Sequence, residues 1–127
     1  MTAPIILEFR ITRDLWLTSN QRPTWPEKAR ITRGLRDLAG WTTRSKRLPT
    51  IERAHIVAYI QYPTRAKADP NNCHPTTKAL VDGCVDAGLF PDDDHTHVVG
   101  PDHRRAPGTT GDGTHHITLK IYEQDQQ

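Results

Sequence analysis

Asp69, Lys78, Asp82 and the run Asp92-Asp93-Asp94 are the side chains of this 127-residue chain best suited to chemistry. Carboxylates are hard oxygen donors, and Mg²⁺ is held by one or two of them together with waters and substrate phosphate oxygens. Asn71, two positions after Asp69, adds an uncharged carbonyl oxygen. A cation in such a set polarises a phosphodiester, lowers the pKa of a bound water and steadies a leaving oxygen. Lys78 and Asp82 are four apart, which puts them on one face of a helix. A lysine there can stabilise charge on a phosphorane-like transition state. The same residues have plainer readings. The three consecutive aspartates read as a solvated turn or a cap, Lys78 with Asp82 as a helix-surface ion pair, and Asn71 with Asn72 as turn residues. Spacing alone favours the plainer readings.

The formal charge of +2 conceals a division along the chain. Between Arg22 and Arg53 stand nine basic residues (Arg22, Lys28, Arg30, Arg33, Arg36, Arg44, Lys46, Arg47, Arg53) against Glu27, Asp37 and Glu52. Between Lys67 and Asp102 stand seven aspartates against Lys67 and Lys78. A basic segment suits a polyanion, because each neutralised phosphate releases counterions. A compact acidic segment repels phosphate unless a cation lies between them. Together they suggest nucleic acid held on one surface and metal-assisted chemistry at another, although a charge run by itself is equally a solvated helix face.

The elements that must position these groups follow from hydrophobic period and turn residues. Residues 4–12 alternate as a strand, with Leu7, Phe9 and Ile11 on one side. Thr24 with Glu27 is a capping-box signature, and Pro26 is tolerated in the first turn. Ile31, Leu35 and Leu38 continue that helix, which is expected to stop at Gly40, with 42–50 a basic loop. Residues 51–62 are the strongest strand, with Ala54, Ile56, Ala58 and Ile60 to one side. After a polar loop over 63–74, Pro75 opens a helix to about Asp86, burying Leu80, Val81, Cys84 and Val85 before Gly88 ends it. Residues 96–100 read as a short strand, 101–113 as a mobile loop or hairpin tip, and 114–122 as a last strand with Ile117, Leu119 and Ile121 inward. The tail after Tyr122 is expected to fray. The order β-α-β-α-β-β predicts one domain over 1–127, of the α+β class, with a mixed sheet and two main helices packed on it.

With 35% hydrophobic and 6% aromatic residues the core is modest, so a partner subunit is expected to supply part of the stability. Neither a membrane span nor a secretion signal is evident. Cys73 and Cys84 fit no disulfide framework and read as free buried thiols, so a reducing, cytoplasmic setting is expected. No small-molecule substrate is indicated.

The run from Arg65 to Asp94, RAKADPNNCHPTTKALVDGCVDAGLFPDDD, resembles the signature of the RusA family of Holliday-junction resolvases. That signature is an Asp-x-Asp-Asn turn, a Lys-Ala-x-x-Asp helix, then Ala-Gly and an Asp-Asp pair. The resemblance extends through the flanking order of elements to most of the chain. It implies a homodimer that uses Mg²⁺ to make paired nicks in four-way DNA junctions. It assigns Asp69 as the first catalytic aspartate, Lys78 as the catalytic lysine, Asp82 as the helical acid and Asp93 as the last metal-binding aspartate, with Asn71 and Asp92 beside them as metal ligands. Two departures stand out: Asn71 replaces the second aspartate of the turn, and Cys73-His74-Pro75 lengthen the stretch before Lys78.

On this reading Arg22, Arg30, Arg33, Arg44, Lys46, Arg47, Arg65, Lys67, Arg104 and Arg105 bind phosphates of branched DNA and set position rather than sequence. The loop near Trp25 is placed to stack on or wedge between bases, whereas Trp41 is expected to pack around the first helix. Two-fold symmetry suits a near two-fold junction. The alternative is a branched-DNA-binding protein of the same fold with weak or no catalysis, motivated by Asn71; a nuclease for flaps or hairpins is a third reading. The histidines at 95, 97, 103, 115 and 116 lack the paired spacing of a zinc site and are expected to be surface or DNA-proximal groups.

Overall fold

A computed structural model describes residues 3–124 of the chain. Strand β1, Ile5–Ile11, buries Leu7, Phe9 and Ile11 and turns Glu8 and Arg10 outward, as its alternation requires. Helix α1 spans Trp25–Lys46, and Thr24 caps it by accepting a hydrogen bond from the Glu27 N–H at 3.3 Å. Strand β2, Ala54–Gln61, buries Ala54, Ile56, Ala58 and Ile60 completely. A single 3-10 turn over Pro70–Cys73 leads into helix α2, His74–Asp86. Strands β3, Val98–Arg105, and β4, His115–Glu123, complete the chain, with Ile117, Leu119 and Ile121 buried.

The sheet order is β1-β4-β2-β3. β4 pairs antiparallel with both β1 and β2, while β2 and β3 run parallel. This is the mixed α+β arrangement expected, with two main helices. A parallel pair needs a crossover, and α2 supplies it. The inward strand residues join Ile31, Leu35, Ala39, Leu80, Val81 and Cys84 of the helices in one apolar cluster. Both cysteines are buried and unpaired, as expected.

Several boundaries differ from expectation. α1 does not stop at Gly40 but continues to Lys46, so most of the supposed basic loop is helix. Gly40 is a packing residue. A Cβ on it would lie 3.6 Å from the Gly83 carbonyl and 3.2 Å from the Arg44 guanidinium. The helix ends instead at Arg47, which adopts the left-handed conformation with φ 50°. Val85 is only half-buried. β3 is longer than the 96–100 segment and takes in 101–105, because Pro101 lies on an edge strand, where its missing N–H is tolerated. Trp41 does not pack on the helix: it is 73% exposed. The tail lies partly outside the described residues; Glu123 still belongs to β4, and the Gln124 N–H donates to the Arg53 carbonyl at 2.9 Å.

α1 and α2 meet at Gly83, where a Cβ would stand 2.3 Å from the Arg36 carbonyl oxygen and 2.7 Å from the Ala39 Cβ. Alanine would improve helix propensity by up to about 1 kcal/mol, but this overlap forces the helices apart, at about 1–3 kcal/mol or more. Gly83→Ala is therefore expected to lower the urea midpoint with little change in m-value. A midpoint at or above that of the unmodified chain would refute the close approach.

Candidate active site

α2 projects Lys78 and Asp82 from one face, one turn apart. The Lys78 Nζ donates to Asp82 Oδ1 at 2.6 Å and also to Asp93 Oδ2. Asp93 reaches this position because the chain turns sharply after α2. Gly88 takes φ 84°, Leu89 N–H donates to the Cys84 carbonyl, and Leu89 and Phe90 are buried as anchors. The Asp93 N–H donates to Asp92 Oδ1 at 2.7 Å, which orients the segment. Lys78, Asp82 and Asp93 thus form one cluster, an ammonium between two carboxylates, with Asp92 at its edge.

The two acids are driven apart electrostatically. Burial is the main cause raising Asp82, and its hydrogen bond with Asp93 and the charge of Asp93 push the same way against Lys78. Asp93 is lowered to about 2, by its hydrogen bond with Lys78 first and that with Asp82 second. Burial works against the Lys78 ammonium, but the bonds and charges of Asp82 and Asp93 outweigh it and its pKa is raised. One carboxylate is firmly ionised, its neighbour holds a proton more readily, and the lysine stays charged. Unequal carboxylates of this kind are the arrangement from which acid–base and metal sites are built.

Asp69 belongs to the turn that precedes α2. Its Oδ1 accepts the Asn71 N–H at 3.0 Å, capping the 3-10 turn. No hydrogen bond or ion pair among the described residues joins it to Lys78, Asp82 or Asp93. Among those residues no three His, Cys, Asp or Glu side chains gather about one point. The chain leaves β2 at one end of the parallel β2–β3 pair and enters β3 at the other, so Asp69 follows the first strand while Asp92 and Asp93 precede the second. The charge of Asp69 acts instead on Tyr62, Cys73 and His103.

In that second neighbourhood His103, expected at the surface or near DNA, is half-buried. His103 Nε2 pairs with Thr77 Oγ1 at 2.8 Å, and the His74 ring meets the His103 ring edge-on at 6.0 Å. Burial, then the charge of His74, lowers the His103 pKa. Thr77 immediately precedes Lys78, so His103 fixes the turn that carries the lysine. The only signal for it was alternation in 98–105, obscured by Gly100 and Pro101. His115, expected near DNA, is half-buried and stacked on Trp16 at 3.6 Å, and burial lowers it to about 4.

The basic residues are dispersed. Lys46 and Arg47 close α1, and Arg30, Arg33 and Arg44 are exposed along it. Arg22 donates to the Ser19 and Gln21 carbonyls. Arg65 and Lys67 lie on the exposed loop after β2. Arg104 and Arg105 belong to β3 rather than a loop. Arg105 lies over the Tyr62 ring at 4.6 Å and donates to the Thr64 and Ala66 carbonyls. Arg36, not among the expected contacts, makes a two-pronged bond to Asp86 at 3.0 and 2.7 Å.

No protein-family model matches this chain, and a comparison with curated proteins found no relative.

The pH behaviour follows from the two acids. The ordinary aspartate value is 3.8, so Asp93 contributes native stability that is complete above about pH 4–5 and lost as pH falls through about 2. Asp82 acts with the opposite sign: its charge disfavours the fold above its native midpoint, and that penalty disappears as pH falls through it. In Lys78→Met both acids lose the neighbouring ammonium. The Asp93 midpoint should climb from about 2 and the Asp82 midpoint should climb further, as read from carboxyl carbon shifts in an NMR titration. Midpoints unmoved by the substitution would disprove the three-group cluster.

Proposed function

We propose that this chain is a Mg²⁺-dependent, structure-selective endodeoxyribonuclease that resolves four-way DNA junctions as a RusA-like homodimer. The observation that carries the reading is the cluster of Lys78 between Asp82 and Asp93. The donor set is of the kind a hard divalent cation takes: two carboxylates converge on one positive charge, and Asp92 adjoins Asp93 in the chain. Asp82, Asp92 and Asp93 would hold the ion, with Asp69 and Asn71 of the turn before α2 as the further oxygen donors. Bound there, Mg²⁺ supplies Lewis acidity toward a phosphodiester oxygen and a more acidic water.

The chain's own groups then have distinct tasks. Asp93, ionised throughout the neutral range, attracts the cation and balances its charge. Lys78, whose ammonium lies between the two carboxylates, would stabilise a phosphate oxygen that gains charge in the transition state. Asp82, the more readily protonated acid, is suited to exchange a proton with the reacting water or the leaving 3′ oxygen. The basic residues of α1 and β3 hold phosphates at a distance from this acidic patch, which itself repels DNA in the absence of a cation. The neutral Asn71 favours, as the second reading, a branched-DNA-binding protein with little or no hydrolysis.

Incubation of a four-way junction, a flap, a hairpin and linear duplex with Mg²⁺ or with chelator separates these readings. Paired nicks in the junction alone, abolished by chelator, are the expected result. Asp82→Asn, Asp93→Asn and Lys78→Met should each lower the rate on the order of 10²–10³-fold while junction binding persists. Binding without Mg²⁺-dependent cleavage by the unmodified chain would establish the second reading, and flap or hairpin cutting would reassign the substrate.

A further inference from the structure

The outer face of α1 carries an unexplained indole among arginines. Arg30, Arg33, Asp37, Trp41 and Arg44 follow one another at intervals of three or four residues, so they form one strip down the helix. The strip faces away from Ile31, Leu35 and Ala39, which enter the core. Trp41 is 73% exposed at its centre. An indole presents a rigid apolar face with a polar N–H edge, and on a helix surface between charged side chains that face is available for stacking. Trp25 is also exposed, at the helix N-terminus, but sits well round the axis from this strip.

The strip adjoins the acidic cluster. Arg36 on the flank of α1 holds Asp86, and Arg44 reaches the Asp86 carbonyl at 3.4 Å. The charges of Asp82 and Asp93 act on the same Arg36. At its other end the strip opens into a cleft of about 450 Å³ whose lining includes Arg13, Arg22 and Arg30, with Asp14, Glu27 and Trp16 among them. A ligand lying along α1 therefore meets arginines on both sides of an aromatic platform, with Asp86 of α2 beside the Arg44 end.

We propose that this face of α1 binds a single strand of nucleic acid, with phosphates on Arg30, Arg33 and Arg44 and an unstacked base on Trp41. Charge decides among occupants. Three arginines against one aspartate repel a second copy of the same face and attract a polyanion. A lone indole flanked by charged side chains offers no continuous apolar stripe to enter a lipid layer. Guanidinium groups around an exposed indole match the alternation of phosphate and base in an unpaired strand, where stacking tolerates any base. The inference deepens the nucleic-acid part of the proposed function and rests on it, while requiring no hydrolysis.

The test is binding of a fluorescein-labelled oligothymidylate to the full chain in chelator, followed by anisotropy across a salt series. Trp41→Ala should weaken binding by roughly 5- to 150-fold, and Trp41→Phe should restore much of the loss. Arg33→Gln should reduce the salt slope by roughly 0.7. Because these side chains are exposed, each variant is expected to keep the circular dichroism and urea midpoint of the parent. Equal binding by Trp41→Ala and the parent would overturn the inference, even if junction cleavage persists. It would also fall if polyglutamate competed as well as oligothymidylate. Concentration-dependent dimerisation abolished by Trp41→Ala, or attachment to anionic vesicles without oligothymidylate binding, would reassign the face. A parent chain that binds neither oligothymidylate nor junction would remove this inference and the proposed function together.

Discussion

The absence of a side chain at Gly83 sets the geometry on which the rest of this molecule depends. It lets α2 lie so close to α1 that any Cβ would penetrate the Arg36 carbonyl. At that separation the buried faces of the helices, with Ile31, Leu35, Ala39, Leu80 and Cys84, close over the sheet as one apolar layer. The neighbouring residue Asp82 is thereby held at the helix surface, half sheltered, where burial raises its pKa. The guanidinium of Arg36 reaches Asp86 from the same crossing, so one residue sets the helix spacing with its backbone and the rotation of α2 with its side chain.

Buried polar groups pin the remaining degrees of freedom. Thr76 is fully buried, and its hydroxyl both accepts the Leu17 N–H at 3.0 Å and donates to the Leu17 carbonyl at 2.6 Å. This exchange ties the first turn of α2 to the segment after β1 and leaves no donor unsatisfied, which in an apolar setting would be expensive. The Thr43 hydroxyl beside Cys84, and Tyr62 beside Cys73, do the same for the two thiols. Burial raises both cysteine pKa values against the lowering effect of these hydrogen bonds, Cys84 to about 11, so both remain protonated. The helix that presents Lys78 is therefore fixed at its start by Thr76 and Thr77 and along its length by Gly83.

Electrostatics divides the surface in two. The acidic cluster is compact and internally balanced by a single lysine, whereas the basic residues spread over α1, the loop after β2 and the edge strand β3. A polyanion held by the second can approach the first closely only if its acids are neutralised, which couples cation binding to the approach of a phosphate at the cluster under the proposed function. On α1 the arginine on the flank toward α2, Arg36, is held by the Asp86 carboxylate, and the outward ones remain for a ligand.

The sequence by itself determined the elements and their inner faces, because alternation in 5–11, 54–60 and 117–121 and the apolar spacing of α2 are local consequences of strand and helix geometry. It also placed Lys78 and Asp82 together, since a four-residue interval is enough. It misjudged Gly40 and Trp41: a glycine that serves a helix crossing looks the same in a sequence as one that ends a helix, and an exposed indole looks the same as a packed one. The arrival of Asp93 at Lys78 and the meeting of Thr77 with His103 were decided only by tertiary structure. Each depends on which strands pair and in which direction. Parallel pairing of β2 with β3 carries the ends of the α2 crossover to opposite ends of the sheet, and no spacing along the chain encodes that direction.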